Sequence, residues 1–382
     1  STKLFVGIGL ISYSLYLWHY PIFSFIKITG LVMGSMTGKL LLIPILLICS
    51  IISYYFVEKP FRNKKFQFKF FFITIISLFF ILISFNLYVI HNDGIKARLP
   101  EFFQNNLTET NVNYYQKDNT QKVVLIGDSH ADALAFNLNE EIKKNDLSLF
   151  RFATDFYLTD FNFVYTKNNK INENFIKSNI KIDNFLEENS NLIVVFHQRW
   201  VTNLLETRLD NDEGYKERDD LRLSHYHLEP INTVTSSLKE RQNYIREGLL
   251  SKINNIINQG HKLVLVYPVP EVGVSPNKYL FRNYIFNKNL FKNSIPVFSG
   301  SYEVYKNMNK LVFEVLDSIE NPSIYRVYPH QVFCNKYLEN RCVGNDENNI
   351  FYYDDHHLSI QGSKLVVNEI MKEIDKIELK SN

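Results

Sequence analysis

Apolar residues fall into two regimes along the chain. Before residue 92 they form three long stretches, residues 4–26, 40–57 and 70–90, none of which contains Lys, Arg, Asp or Glu. A helix needs about 20 such residues to cross a hydrocarbon core about 30 Å thick, so three membrane spans are predicted. A signal peptide does not fit, because the first stretch is too long and further spans follow it. After residue 120 the apolar runs shorten to strand length, at 123–126, 147–152, 192–196 and 262–267, and alternate with helical stretches such as 236–259. That alternation predicts an α/β domain with a parallel sheet flanked by helices. Between the two regimes, residues 92–120 carry Asp93-Gly94, Pro100 and many Asn, and read as a linker. The predicted organisation is thus 1–91 in the membrane, 92–120 as linker and 121–378 as the soluble domain.

Charge orients the spans. Lys59, Arg62, Lys64, Lys65 and Lys69 crowd the second connection, whereas the first offers only Lys27 and Lys39. Positive connections stay on the cytoplasmic side, so the chain beyond His91 emerges on the other face and the soluble domain is extracytoplasmic. Cysteine usage agrees: Cys334 and Cys342 bracket a short polar loop with no zinc-site spacing around them, and a disulfide is the simplest reading. Closing so small a loop contributes about 2–3 kcal/mol in the chain-entropy model. Cys49 lies mid-span and reads as apolar bulk. The formal net charge is +2, with no basic stripe interleaved with aromatics outside the juxtamembrane patch, which excludes a nucleic-acid binder.

Two short words carry candidate chemistry. Gly127-Asp128-Ser129-His130 follows the strand run at 123–126 and precedes a helix start at Ala131, which sets Ser129 on a strand-to-helix turn. Asp354-Asp355-His356-His357 places a carboxylate and an imidazole three residues apart, just before the final helix. His357 can reach Ser129 Oγ as a base while Asp354 holds its other ring nitrogen, the arrangement that activates a serine nucleophile. Asp128 reads as support for the turn, and Asp355 and His356 as spacing residues facing solvent.

Gly127-Asp128-Ser129-His130 and Asp354-x-x-His357-Leu358-Ser359 resemble the first and last blocks of the SGNH, or GDSL-like, hydrolase family. The resemblance implies a flavodoxin-like fold and a catalytic set of Ser129, His357 and Asp354. It also implies an oxyanion hole drawing on the serine backbone, a second-block glycine and a third-block asparagine. No glycine lies between Gly127 and Gly214, and the third-block position reads His197-Gln198-Arg199-Trp200. Gly127, Asp128, Arg199 and Trp200 are therefore the oxyanion or substrate candidates. Arg199 could stabilise an oxyanion, hold an anionic sugar, or form a structural salt bridge.

A second resemblance lies in the membrane segments. Gly9-Leu10-Ile11-Ser12-Tyr13-Ser14-Leu15-Tyr16-Leu17-Trp18-His19-Tyr20-Pro21 and Ser53-Tyr54-Tyr55-Phe56-Val57-Glu58-Lys59-Pro60-Phe61-Arg62 are similar to the closing helices of acyltransferase-3 proteins. One branch of that family carries an extra span and an SGNH domain. The resemblance implies a multi-pass protein of the bacterial inner membrane with a periplasmic catalytic domain, of which this chain is the C-terminal part. Preceding helices of the family would handle the acyl donor, acetyl-CoA. His19 reads as a structural hydrogen-bonding group, and no cofactor is expected to be bound.

Three functions are compatible with these residues: O-acetylation of sugar hydroxyls on a cell-surface glycan such as lipopolysaccharide O-antigen, a carbohydrate acetyl esterase, and a noncatalytic glycan-binding or inert product. The charged run 206–229 reads as a solvated insertion or a lid over a polysaccharide. His225-Tyr226-His227 lacks a third ligand, so no metal is assigned.

Overall fold

The computed structural model describes residues 3–29, 36–62, 68–92, 94–95, 112–118, 120–158, 161–165, 170–213, 226–231, 235, 237–276, 279–280, 283–284 and 295–381. The chain divides into two compact units, Ser1–Gln104 with Leu280–Lys288, and Asn105–Tyr279 with Asn289–Asn382.

The first unit is built on helices α1 (Lys3–Thr29), α2 (Met36–Ser53) and α3 (Phe68–His91). A π-helical turn, Tyr54–Glu58, and a short turn, Lys59–Phe61, continue α2. Two helical windows among the described residues, Leu42–Phe61 and Phe72–His91, are long and apolar enough to cross a membrane. The first helix, where a third such span was expected, is long enough but is diluted by Ser12, Tyr13, Ser14, Tyr16, His19 and Tyr20. It is tied to the end of α2 by Ser14 Oγ, which donates to Glu58 Oε2 at 2.9 Å. His19 Nδ1 lies 2.5 Å from the Tyr16 carbonyl of its own helix.

The second unit contains a five-stranded parallel sheet. Its strands are β1 (Lys122–Gly127), β2 (Ser148–Ala153), β5 (Ile193–Phe196), β7 (Lys262–Val266) and β9 (Ile324–Val327), in spatial order β2-β1-β5-β7-β9. Renumbered along the sheet this is the 2-1-3-4-5 order of doubly wound flavodoxin-like proteins. The strands read as continuous apolar runs because both faces are covered. Val124, Ile126, Val194, Phe196, Leu263 and Leu265 point to one face and share a core with α5 (Glu173–Glu187), α7 (Leu238–Asn258) and α8 (Tyr302–Asp317). The alternate residues Val123, Leu125, Ile193, Val195, Val264 and Val266 are equally buried. They face the other side, where α10 (Ile360–Ser381) packs against α4 (Ser129–Lys144) and against β7 and β9.

Smaller elements surround this frame. Strand β3 (Phe161–Tyr165) pairs antiparallel with β4 (Lys170–Ile171) and β6 (Tyr226–Pro230), so the end of the charged run 206–229 is sheet. Residues 214–225, including His225, lie outside the described residues. Strand β8 (Ser299–Ser301) pairs with β10 (Arg341–Val343), and the short helices are α6 (Trp200–Leu205) and α9 (His330–Phe333). Cys334 and Cys342 form a disulfide. The last residues of the expected linker belong to the domain: Tyr115 N donates to Asn139 Oδ1 and Lys117 N to Ser148 Oγ, both at 2.7 Å.

Gly127 closes β1 with φ +151°, and a Cβ there would meet the backbone oxygen of His197 at 1.6 Å. The turn therefore admits only glycine. Gly127→Ala is expected to cost on the order of 4 kcal/mol or to prevent folding, and an unchanged thermal melt would contradict this packing. Replacing Cys334 and Cys342 together by serine should lower stability by about 2–3 kcal/mol, read by denaturant titration against the unreduced protein.

Candidate active site

Because the strand order reverses direction between β1 and β5, the carboxyl ends of these two strands open a crevice. Both contribute to one cluster. Asp128 caps the N-terminus of α4, its Oδ1 accepting from His130 N at 2.9 Å. Its Oδ2 accepts from Arg199 N at 2.9 Å and from Asn203 Nδ2 at 3.0 Å. One carboxylate thus joins the turn after β1 to the turn after β5. Desolvation raises the Asp128 pKa, opposed by these donors and by the charge of His357. Arg151 grips the same turn from β2, with Nη2 donating to the carbonyls of Gly127 (3.1 Å) and Asp128 (3.2 Å) and Nε donating to Asp132 Oδ1 (2.7 Å).

Held in this way, Ser129 occupies the first position of α4, where a backbone N–H has no intrahelical partner. Ser129 is exposed. Its Oγ lies 2.7 Å from His357 Nε2, and His357 Nδ1 lies 2.7 Å from Asp354 Oδ2. Asp354 Oδ1 also accepts from the backbone N–H groups of His356 (3.0 Å) and His357 (2.7 Å). Burial alone would raise the Asp354 pKa, but the hydrogen bonds from the His357 ring and these N–H groups outweigh it and hold the carboxyl below its ordinary value. The carboxylate is thereby ionised and fixed against the imidazole.

The other candidates take different places. Arg199 is enclosed and forms a bidentate pair with Glu271, Nε to Oε1 at 2.7 Å and Nη2 to Oε2 at 2.6 Å. Of its readings, the structural salt bridge is the one the geometry contains. Trp200 is 1 % exposed, and its Nε1 donates to the Val266 carbonyl at 2.8 Å. Its ring belongs to the core, stacked edge-on to Phe196. His356 does not simply face solvent: its Nδ1 lies 3.1 Å from His130 Nε2, with the two rings nearly parallel. Burial lowers the pKa of His130 well below the ordinary value, and the positive charges of His357, His356 and Arg199 add to this. His130, His356 and His357 bring ring nitrogens within 4.8 Å of one another. Each of those rings already has a partner in His130–His356, Ser129 or Asp354, and no metal is assigned.

Sequence reasoning missed Asn203, Arg151 and Glu271. Asn203 stands four residues beyond Arg199, on the first turn of α6, a position that an expectation of asparagine immediately after the strand passes over. Arg151 and Glu271 carry no local signal, because each acts across the sheet.

Two clefts meet at Ser129. The first, ≈ 480 Å³, is lined by Asp128, Ser129, Thr154, Asp155, Arg199 and Asn203 among others. The second, ≈ 320 Å³, lies on the His357 side and includes Val112, Tyr114, Phe136 and Tyr353.

Beneath the site, burial lowers the His197 pKa to about 4, partly countered by the Val266 carbonyl. An unfolded chain would protonate this imidazole near 6.5, so the unfolded state binds the extra proton between those values. Stability should therefore be present above pH 6.5 and fall as pH drops toward 4, by about 1.4 kcal/mol per pH unit from this one group. Urea titrations followed by circular dichroism should show a shallower pH slope for His197→Asn than for the parent. Parallel slopes would remove His197 from the acid lability.

Comparison with known proteins places this geometry in a family. A stretch of 69 residues is 45 % identical to the O-acetyltransferase OatA of Staphylococcus aureus strains NCTC 8325 / PS 47 and COL, covering 18 % of this chain and 11 % of those proteins. The matched stretch therefore spans about a tenth of the relatives' length. Among solved structures, the periplasmic domain of a lipopolysaccharide acetyltransferase from Salmonella ser. Paratyphi A aligns with a TM-score of 0.43 at 17 % identity, over 68 % of this chain and 85 % of that one. A GDSL-like lipase from Bacteroides thetaiotaomicron VPI-5482 aligns at 0.33 and 10 % identity, over 67 % and 89 %. Residues 101–372 match the model of the SGNH domain fused to AT3 domains, and the chain belongs to that family.

Proposed function

We propose that this chain is an O-acyltransferase that acetylates sugar hydroxyls of a cell-surface polysaccharide through an acyl-Ser129 intermediate. The observation that carries the reading is the continuous chain Ser129 Oγ, His357 and Asp354, with both contacts at 2.7 Å. In the forward step His357 Nε2 takes the Ser129 proton as Oγ attacks the acyl carbonyl, and the imidazolium returns that proton to the leaving group. Asp354 holds Nδ1–H and stabilises the imidazolium. The oxyanion faces the N-terminus of α4, where the Ser129 backbone N–H and the helix dipole favour negative charge. A sugar hydroxyl then gives its proton to His357 and takes the acyl group from Ser129.

Membership of the SGNH family fused to AT3 domains, and the stretch shared with the O-acetyltransferase OatA, support the transfer reading, and a cell-surface glycan such as lipopolysaccharide O-antigen is the proposed acceptor. In this reading α1, α2 and α3 are three membrane spans, and the domain works on the extracytoplasmic side of the inner membrane, opposite the Lys59 and Arg62 connection. Apolar side chains stand exposed along α3, including Phe79, Phe80, Ile81 and Leu82, as a lipid-facing helix requires. Acetyl-CoA is the donor in this scheme, handled by acyltransferase-3 helices that partner the domain, and no bound cofactor is assigned. One observation favours esterase activity as a second reading: Ser129 is exposed, so water can reach an acyl group on its Oγ.

Intact-mass measurement of the chain in detergent, after incubation with p-nitrophenyl acetate, tests the scheme. One acetyl group should accumulate on the parent and none on Ser129→Ala. Asp354→Asn should slow acylation on the order of 10⁴-fold, the cost of the wrong imidazole tautomer. Equal labelling of the Ser129→Ala variant would reject the proposal. Discharge to glycan faster than to water supports the transferase, and equal discharge supports the esterase.

A further inference from the structure

The two clefts that meet at Ser129 differ in what they offer a substrate. The ≈ 480 Å³ cleft runs over polar and charged groups, among them the Asp128 and Asp155 carboxylates, the Arg199 and Arg208 guanidinium groups, Thr154 and Asn203. The ≈ 320 Å³ cleft lies on the side of His357. Its lining is mostly apolar, with Val112, Ala133, Phe136 and Leu358, and includes two tyrosines, Tyr114 and Tyr353. Four of its contributors come from one helix face: Ser129, Asp132, Ala133 and Phe136 follow the i, i+3, i+4, i+7 spacing of α4. Asp132 lines both clefts, with a half-exposed side chain oriented by Arg151 Nε at 2.7 Å. Tyr353 is 40 % exposed, and its ring stacks on that of His357 at 5.4 Å between centroids and 18° between planes.

Geometry decides which reactant each cleft can take. An acceptor hydroxyl must hand its proton to His357 Nε2 while its oxygen attacks the acyl carbon on Ser129 Oγ. It must therefore approach from the His357 side. We propose that the Tyr114–Tyr353 cleft is the acceptor subsite and that it takes a pyranose ring. The apolar C–H face of the sugar lies on the tyrosine rings, whose flat faces and polar tips suit a partly wet ligand. The Asp132 carboxylate accepts from a neighbouring ring hydroxyl, the few-polar-groups-on-an-apolar-floor pattern of small-molecule sites. The transfer balances without a further reactant. The acceptor O–H bond breaks, its proton goes to Nε2, the new C–O bond forms as the bond from the acyl carbon to Oγ breaks, and Nε2 returns the proton to Oγ. By the same geometry the donor's leaving group departs from this side before the acceptor enters, and the polar cleft is left for the acyl group and the oxyanion.

This assignment rests on the acyl-Ser129 reading and adds to it the side and the chemistry of acceptor entry. Its test is partition of one acyl-enzyme pool. The chain in detergent is acylated by p-nitrophenyl acetate in the presence of equal hydroxyl concentrations of methyl pyranosides and glycerol, and the acetylated products are quantified. Glycerol offers hydroxyls without a ring face. Product ratio, unlike rate, does not depend on how fast the acyl-enzyme forms. The parent should favour pyranosides over glycerol at least tenfold. Tyr114→Ala and Tyr353→Ala should each reduce the ratio severalfold and together bring it near one, whereas Tyr114→Phe and Tyr353→Phe should keep it. A parent with no pyranoside preference, or a preference that survives loss of both rings, overturns the subsite. Loss of the preference in the phenylalanine variants would also overturn stacking as its basis. A parent that forms no acetyl-Ser129 overturns the underlying reading, and the subsite with it, by a separate signal.

Discussion

Asp128 is the constraint on which the rest of the site depends. Its two oxygens accept from His130 N, Arg199 N and Asn203 Nδ2, groups that belong to two turns following different strands. A carboxylate held away from water is costly unless hydrogen-bonded, and here the cost is met by donors the fold must supply in fixed positions. The turn after β1 and the turn after β5 are therefore not independent. Gly127 enforces the same coupling sterically, since the His197 carbonyl occupies the space a side chain would need. Ser129 inherits its direction from both devices.

A second layer of charge pairing isolates the reactive groups. Arg199 and Glu271 pair bidentately, which places a strong cation on the lining of the cleft beside Ser129 with a carboxylate held against it. The cation still acts at a distance, helping to keep His130 and His356 neutral after burial has done most of that work. Neutral imidazoles packed at 3.1 Å can share a proton in a hydrogen bond, whereas two imidazolium ions could not sit so close. The His357 ring thus has neutral imidazoles beside it, and Asp354, hydrogen-bonded to its Nδ1, is the carboxylate in direct contact with a positive charge on it.

Much of the domain was legible in the sequence because the signals are local. Strand runs at 123–126, 192–196 and 262–267 are continuous in hydrophobicity since both their faces are buried, and Ser129, Asp354 and His357 lie in compact words whose spacing already fits the turn and the loop they adopt. What was illegible is made by contacts between distant segments. The Arg199–Glu271 pair joins residues 72 apart and the His130–His356 pair residues 226 apart, so neither has a periodicity or motif to betray it. Arg199 looked available for substrate because its partner lies on the loop after another strand, and Trp200 looked a substrate candidate because its burial depends on contacts with Phe196 and Val266. Strand β6 was hidden within a charged run, since a strand in a small peripheral sheet need not be apolar. The first helix looked like the others by the absence of charges, yet its tyrosines, serines and histidine give it a lower hydropathy.

Ser129 and His357, the proposed nucleophile and base, lie 228 residues apart, one just after the first strand of the sheet and the other just before the last helix. A ribosome therefore finishes nearly the whole domain before the serine has an imidazole to activate it. In the proposed reading Ser129 is until then an ordinary alcohol, and the growing chain is chemically silent toward any ester it encounters. The proposed activity would then arrive as a single late event in biosynthesis, when the final loop docks against a turn laid down long before.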